Sequence, residues 1–260
     1  MPDTAMKMRA YVLHLERATA RRANAQALLD TCGLEGDIWP AVDGAKCPPE
    51  DFENAVGAGL FDPPYPFPLK TGEIGCFLSH RQIWADMQRH EATAALIIED
   101  DAGLDPDTFP QALHLAHRHI ETLGYIQFQT RPPKGPATSL EATADMALIV
   151  PQLGGLRTTA QLVSRDTAAH LSALSAPFDR PVDTFVQSHW HTGLRPAMIY
   201  PSGISEIADQ LDGSTIQQSR KSLRERLSRE WHRGRFRHKV AHLSERSRAP
   251  AIGGITGDPA

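Results

Sequence analysis

The chain has 260 residues, 41% of them hydrophobic and 22% charged, with 19 Gly, 20 Pro and a formal net charge of −4. This composition excludes collagen-like, disulfide-scaffold and fully disordered classes and leaves room for one α/β domain of about 200 residues plus an appendage. The charge is unevenly placed, because Arg220 to Arg248 carries eleven Lys/Arg against three Glu, a local +8 that leaves −12 on the rest.

The first predicted element is a strand at Ala10-Tyr11-Val12-Leu13-His14-Leu15, followed by a helix capped by Thr19 and stopped by Gly33. Four prolines in Asp62 to Pro68 exclude a helix interior or a central strand there, so this segment reads as a loop at the rim of a site. Between Gly72 and His90, Ser79 and Gln82 have capping-box spacing, which predicts a helix starting at Ser79; a start near Thr71 fits equally. Ala94 to Ile98 reads as a buried strand running into Glu99-Asp100-Asp101.

Asp107 is placed to cap a helix ending at Gly124, and Tyr125 to Gln129 predicts the next strand. A further strand at Leu162 to Ser164 and a helix at Asp166 to Leu174 complete an alternation that implies a mainly parallel sheet covered by helices. Such sheets bind ligands beyond the carboxyl ends of their strands, where the acidic triplet falls. The reading divides the chain into a body of residues 1–218, a basic amphipathic helical tail of 219–248 and a disordered terminus of 249–260.

Cys32, Cys47 and Cys76 form no C-x-x-C pair, which fits a reducing compartment. Neither a signal-peptide core near Met1 nor an apolar run of membrane-spanning length is present, so the expectation is a cytoplasmic protein, peripheral at most. Leu223, Leu227, Trp231 and Phe236 form a partial apolar stripe among arginines, suiting either an anionic membrane surface or docking on the acidic body. The body has no basic or aromatic surface in sequence that would bind nucleic acid.

Three successive carboxylates at a strand end are costly unless a cation or hydrogen bonds satisfy them. In extended backbone Glu99 and Asp101 point one way and Asp100 the other, so two carboxylates are positioned to share a divalent ion; an acidic turn is the plainer alternative. Oxygen-only ligands favour Mg²⁺ or Mn²⁺. His114, His117 and His119 lack the acidic or Cys partners of a zinc set.

Gly72-Glu73-Ile74-Gly75-Cys76-Phe77-Leu78-Ser79-His80 followed by Leu96-Ile97-Ile98-Glu99-Asp100-Asp101-Ala102 resembles the paired signature of glycosyltransferase family 25. Tyr11 to Arg17 with Arg21-Arg22, and Pro40-Ala41-Val42-Asp43-Gly44, resemble that family's opening elements, and the resemblance runs from about Arg9 to Ile216. It implies a GT-A-like, Rossmann-type nucleotide-diphospho-sugar fold with Mn²⁺ or Mg²⁺ at Glu99, Asp100 and Asp101. The activity it implies is inverting transfer of a sugar, galactose from UDP-galactose first, to a hydroxyl of a cell-envelope or lipid-linked glycan such as lipopolysaccharide.

Within the resemblance, Asp183 matches a Pro-x-Asp element and is the first candidate for general base, with a helix cap as its alternative role and His189 and His191 as weaker candidates. His80 either meets the donor, orients the triplet or serves as a structural hydrogen-bonding residue. Arg17, Arg21, Glu73 and Ser214 are the donor-binding candidates; exposed helix arginines and a turn at Ser214 are the ordinary readings. Gln161 stands where the family often has an aromatic residue, and Gln129 to Gly155 aligns poorly. A different class remains open, a non-catalytic module that binds a glycan, a nucleotide-sugar or a partner.

Overall fold

The computed structural model describes residues 7–211 and 223–255. β1 (Met8–His14) opens it, and a 3-10 turn at Thr19–Arg21 leads into α1 (Arg22–Thr31), which ends where Gly33 takes a φ of 79°. β2 (Gly36–Pro40) precedes the loop that holds α2 (Pro49–Glu53) and the proline-rich segment. Next come α3 (Thr71–Asp86), β3 (Ala94–Glu99), β4 (Ala102–Leu104), α4 (Phe109–Leu123) and β5 (Tyr125–Phe128). The hairpin β6 (Ala137–Ala142) and β7 (Ala147–Pro151) leads to β8 (Ala160–Ser164) and α5 (Arg165–Leu174). The chain then forms α6 (Val182–Gln187), α7 (His189–Thr192), β9 (Leu194–Arg195), β10 (Ala197–Tyr200) and β11 (Ile204–Glu206). α8 (Leu223–Arg246) and β12 (Gly254–Ile255) complete the described chain.

The central sheet has eight strands in the order β2-β1-β3-β8-β5-β10-β7-β6. Most point one way; β8 and β7 run opposite to both of their neighbours, so the expected mainly parallel sheet is mixed. A parallel pairing requires a crossover connection, usually a helix, whereas the chain enters β8 from the β6–β7 hairpin through a helix-free loop. That hairpin falls in Gln129 to Gly155, the stretch that aligns poorly within the resemblance.

Alternating strand residues face opposite layers. Ala10, Val12, Leu96 and Ile98 pack with residues of α1 and α4, while Tyr11, Leu13, Ala95 and Ile97 pack with α3, α5 and α6. In the second layer Phe77 and Phe178 stack with centroids 3.8 Å apart. Both are fully buried, and truncating such an aromatic to Ala costs about 3–5 kcal/mol.

Local details decide between alternatives for α3 and correct the start of α4. α3 starts at Thr71, not Ser79: the Glu73 carboxylate accepts the Lys70 N–H at 2.8 Å and caps the earlier start. Ser79 lies mid-helix, donating to the Gly75 carbonyl at 2.7 Å and accepting the Val42 N–H at 2.8 Å. At α4, Asp105 rather than Asp107 serves the helix start, since its carboxylate accepts the N–H groups of Asp107 and Thr108.

The terminus expected to be disordered packs as far as Ile255. Gly254–Ile255 pairs antiparallel with β9, and Arg195 donates to the Ala249 carbonyl. Positive φ at Gly253 and Gly254, open to glycine without strain, lets the chain turn there. The apolar stripe expected along the tail is divided: Phe236 and buried Val240 face the body, whereas Trp231 is 57% exposed. Among the described residues no helix is long and apolar enough to cross a membrane.

Candidate active site

Because β1, β2 and β3 are parallel, their carboxyl ends share one edge of the sheet, where a crevice for ligands forms. A cavity of about 170 Å³ opens there, lined in part by Arg17, Arg21, Val42, Asp43, Glu99 and Asp101. A second cavity of about 650 Å³ shares Cys76, Glu99 and Asp101 with it and adds Tyr65, Glu73, Arg157, Thr158, Asp183 and Glu206. The two meet along the acidic triplet.

The wall of the smaller cavity depends on close packing between α3 and the loop after β2. A Cβ on Gly75 would lie 2.5 Å from the Val42 carbonyl oxygen, and one on Gly44 would lie 1.9 Å from that of Thr71. Gly75 and Ser79 stand one turn apart on the same face, so the missing side chain admits the loop and the hydroxyl holds it. This is the local meaning of the Gly72 to His80 motif.

The three carboxylates have different surroundings. Asp100 is buried: one oxygen accepts from Arg21 at 3.0 Å, and the other contacts His14 Nδ1 at 2.8 Å and the Leu15 N–H at 3.3 Å. Both of its oxygens thus face donors that hold β1 and the start of α1. Asp101 accepts from Arg21 at 2.9 Å, and Glu99 accepts from the Thr158 hydroxyl at 2.7 Å. Burial and then the neighbouring Asp101 charge push the Glu99 carboxyl up, against the Thr158 bond. Asp101 is also raised by burial, with Arg21 opposing.

Among the described residues no group of three His, Cys, Asp or Glu is arranged to hold a metal. Two desolvated carboxylates on the wall shared by both cavities nevertheless fit a hard divalent cation that keeps several waters.

Asp183 lies in the first turn of α6. One oxygen accepts the Thr184 N–H at 2.6 Å and the other the Arg157 N–H at 3.2 Å. Burial raises its carboxyl, while these donors and the Arg157 charge pull it down. α6 begins at Val182 with Pro181 at its N-cap and no side-chain cap bond, so Asp183 lines the cavity from inside the first turn rather than capping a helix that starts at Thr184.

Arg157 was not singled out in the sequence. It has the only positive φ of a non-glycine residue among the described residues, 90°, and its guanidinium pairs with Glu206. The single sequence cue is the preceding Gly154-Gly155, which marks a turn without naming the residue after it. Tyr65 was covered by the expectation of a proline-rich rim.

Other candidates lie elsewhere. His80 is fully buried and lines neither cavity. Its Nε2 accepts from the Gln161 amide at 3.0 Å and its Nδ1 lies 3.0 Å from the Cys76 carbonyl, an arrangement that fits the Nδ1-protonated tautomer. Burial lowers its pKa to about 4, and both ring nitrogens are held inside the fold, in keeping with the structural hydrogen-bonding role. Gln161 itself is inside the sheet and presents nothing for stacking to a ligand.

His189 is buried against Ser244 and Ser247, and His191 stacks on Phe61 at 3.8 Å; neither reaches the cavities. His119 contacts Glu141 at 2.8 Å. Arg17 pairs with Asp43 at 2.9 Å on the smaller cavity, and Glu73 combines its cap with the wall of the larger one. Ser214 lies outside the described residues.

Comparison with known proteins places this geometry. A model described as glycosyltransferase family 25 (LPS biosynthesis protein) matches residues 7–186. The chain is 38% identical over 99 residues to a glycosyltransferase 25 family member of Anopheles gambiae. It is 34% identical over 94 residues to procollagen galactosyltransferase 2 of Homo sapiens. It is also 34% identical over 96 residues to inactive glycosyltransferase 25 family member 3 of Homo sapiens. These stretches are 37%, 35% and 35% of this chain but only 17%, 15% and 16% of the relatives' own lengths. With the family model spanning both signature motifs, β3 and Asp183, the chain belongs to glycosyltransferase family 25.

Proposed function

We propose that the protein is an inverting glycosyltransferase that moves a sugar, galactose first, from a UDP-sugar to a hydroxyl of a cell-envelope glycan such as lipopolysaccharide. The observation behind this reading is that Glu99, Asp101 and Asp183, distant in sequence, line one cavity continuous with the strand-end crevice. The nucleotide end of the donor belongs in the smaller cavity beside Arg17, and the sugar and acceptor in the larger. Glu99 and Asp101 would hold Mn²⁺ or Mg²⁺, whose charge neutralises a departing diphosphate.

In this reading Asp183 takes the proton of the acceptor hydroxyl as that hydroxyl attacks the anomeric carbon. Its N–H bonds to Arg157 and Thr184 fix the carboxylate in place. Arg157 supplies positive charge on a wall otherwise rich in carboxylates, where negative charge develops on the leaving group.

The experiment is transfer and donor hydrolysis with UDP-galactose, with and without Mn²⁺. Asp183→Asn should lower kcat by about 10²- to 10⁴-fold while donor binding persists. Because burial raises the Asp183 pKa, wild-type kcat should climb with pH through a value above the usual aspartate range. Unchanged turnover in Asp183→Asn rejects it as base. One relative is named inactive, and donor binding without turnover of any nucleotide-sugar would make this chain a binding module instead.

Outward on α8, Arg235 lies over exposed Trp231, and Arg237 and Lys239 are exposed as well. It supports peripheral placement on the cytoplasmic face of an anionic membrane, with about 1 kcal/mol per basic residue near the surface. Replacing Arg235, Arg237 and Lys239 by Ala should weaken co-sedimentation with phosphatidylglycerol vesicles; equal sedimentation rejects the placement.

A further inference from the structure

α8 lies beyond residue 186, where the family match ends, yet through Phe236 it touches Tyr65, a lining residue of the larger cavity. Arg229, Arg233, Phe236, Val240 and Ser244 follow helical spacing along the face turned toward the body. The Phe236 ring meets Tyr65 edge-on at 5.6 Å, and Tyr65 meets Phe67 edge-on at 5.8 Å. Tyr65 lines the cavity together with Glu73 and Asp183. The tail and the proline-rich loop therefore form one structure at the mouth of the site.

Two guanidinium groups are seated there. Arg229 lies over the Phe67 ring with its Cζ 4.6 Å from the centroid, and Arg233 lies at 5.9 Å from the same ring. Arg233 also pairs with Glu230, and Arg229 rests on Phe67. A guanidinium held by its face against an aromatic ring keeps its N–H edge for an acceptor in its plane, and a carboxylate or phosphate matches that fork.

The rest of the wall has the opposite sign, with Glu73, Glu99, Asp101, Asp183, Glu206 and Asp209 opposed by Arg157. An anionic substituent is repelled from that wall and drawn to the arginine rim, which leaves a neutral hydroxyl of the same molecule to approach Asp183. We propose that Arg229 and Arg233, seated on Phe67 beside Tyr65, form an anion-recognising subsite for the acceptor, which bears a phosphate or carboxylate group close to its reacting sugar. The assignment of this ligand as acceptor rests on the transferase reading.

The test uses the full chain, with EDTA present so that no cation bridges ligand and carboxylates, and compares glucose 6-phosphate with glucose by ligand-observed NMR titration. The phosphorylated sugar should bind at least about tenfold more tightly, the scale of one charge-assisted contact. Arg229→Ala/Arg233→Ala should erase that preference, and Arg229→Lys/Arg233→Lys should restore part of it, showing that charge at this place is what is read. Arg235→Ala, which removes the same charge from the exposed face, should leave it intact.

Equal binding of the two sugars by the wild type overturns the subsite. So does a preference that survives the double alanine change or vanishes equally in Arg235→Ala. Phosphatidylglycerol vesicles form a separate arm: sedimentation lost in the double alanine variant, with no preference among the sugars, assigns the arginines to a membrane and overturns the proposal. Donor hydrolysis by the wild type with UDP-galactose and Mn²⁺ is read in parallel. A sugar-phosphate preference without hydrolysis or transfer removes the transferase reading and leaves an anion site; hydrolysis without the preference does the reverse.

Discussion

At Arg157, a left-handed backbone and a cavity-lining guanidinium occur in one residue. A non-glycine residue at φ 90° is strained, at a cost of about 1–3 kcal/mol. The strain persists because the Arg157 N–H is tied to Asp183 and its carbonyl lies 3.4 Å from the Gln127 amide. Glycine adopts that φ freely, so Arg157→Gly should leave the melting temperature unchanged or higher, while kcat/KM falls roughly tenfold or more through loss of the guanidinium. Arg157→Ala should lower both. Melting curves and steady-state kinetics of the pair check this, and full activity in Arg157→Gly removes the proposed side-chain role. Nothing local in the sequence marks this position, since its φ is imposed by partners at 127 and 183. Glu99 and Asp101 were legible as an acidic run after an apolar strand, but β3 ends at Glu99 and Asp101 lies in a turn, so strand alternation is not what brings the two carboxylates to one wall.

At the scale of elements, the contact between α3 and the loop after β2 is set by backbone proximity. Gly75→Ala would place a Cβ 2.5 Å from the Val42 carbonyl oxygen and 2.9 Å from the Gly44 nitrogen, atoms that yield only if the loop moves. We expect a loss of about 1–3 kcal/mol of stability, the range for overpacking. We also expect a raised KM for the nucleotide-sugar, because Val42 and Gly44 line the smaller cavity. Denaturant unfolding together with donor KM tests both; wild-type values for each would show that the loop absorbs the methyl. The existence of α3 was readable from its pattern, but its start was not. A capping-box spacing at Ser79 competed with the Lys70–Glu73 cap, and burial of Ser79 against Val42 decided between them. That shift places His80 well inside the helix, against Gln161 of β8, rather than at a helix end facing ligand.

For the molecule as a whole, buried neutral histidines set its response to acid. Burial lowers both His80 and His189 to about 4, whereas an unfolded histidine titrates near about 6.5. Between those values the unfolded chain binds more protons than the native one, so the stabilisation is complete above the unfolded pKa and is lost as pH falls toward the native pKa. Glu99, Asp101 and Asp183, raised by burial, act in the opposite sense and favour the fold as they protonate. Wild type should therefore lose melting temperature more steeply between pH 6.5 and 4 than His80→Gln does. Parallel slopes would exclude His80 as a source of the acid sensitivity.

Local pattern determined the alternating α/β architecture, the acidic triplet at a strand end, the charge division between body and tail, and the two motifs that mark the family. Each of these depends on residues close together in the chain, where periodicity and side-chain type suffice. Tertiary structure alone decided that Asp100 is spent on Arg21 and His14, that Glu99, Arg157 and Asp183 line one cavity, and that α8 docks beside the proline-rich loop. Those outcomes depend on which distant segments pack together, and burial and charge then act on groups that no local pattern brings into contact.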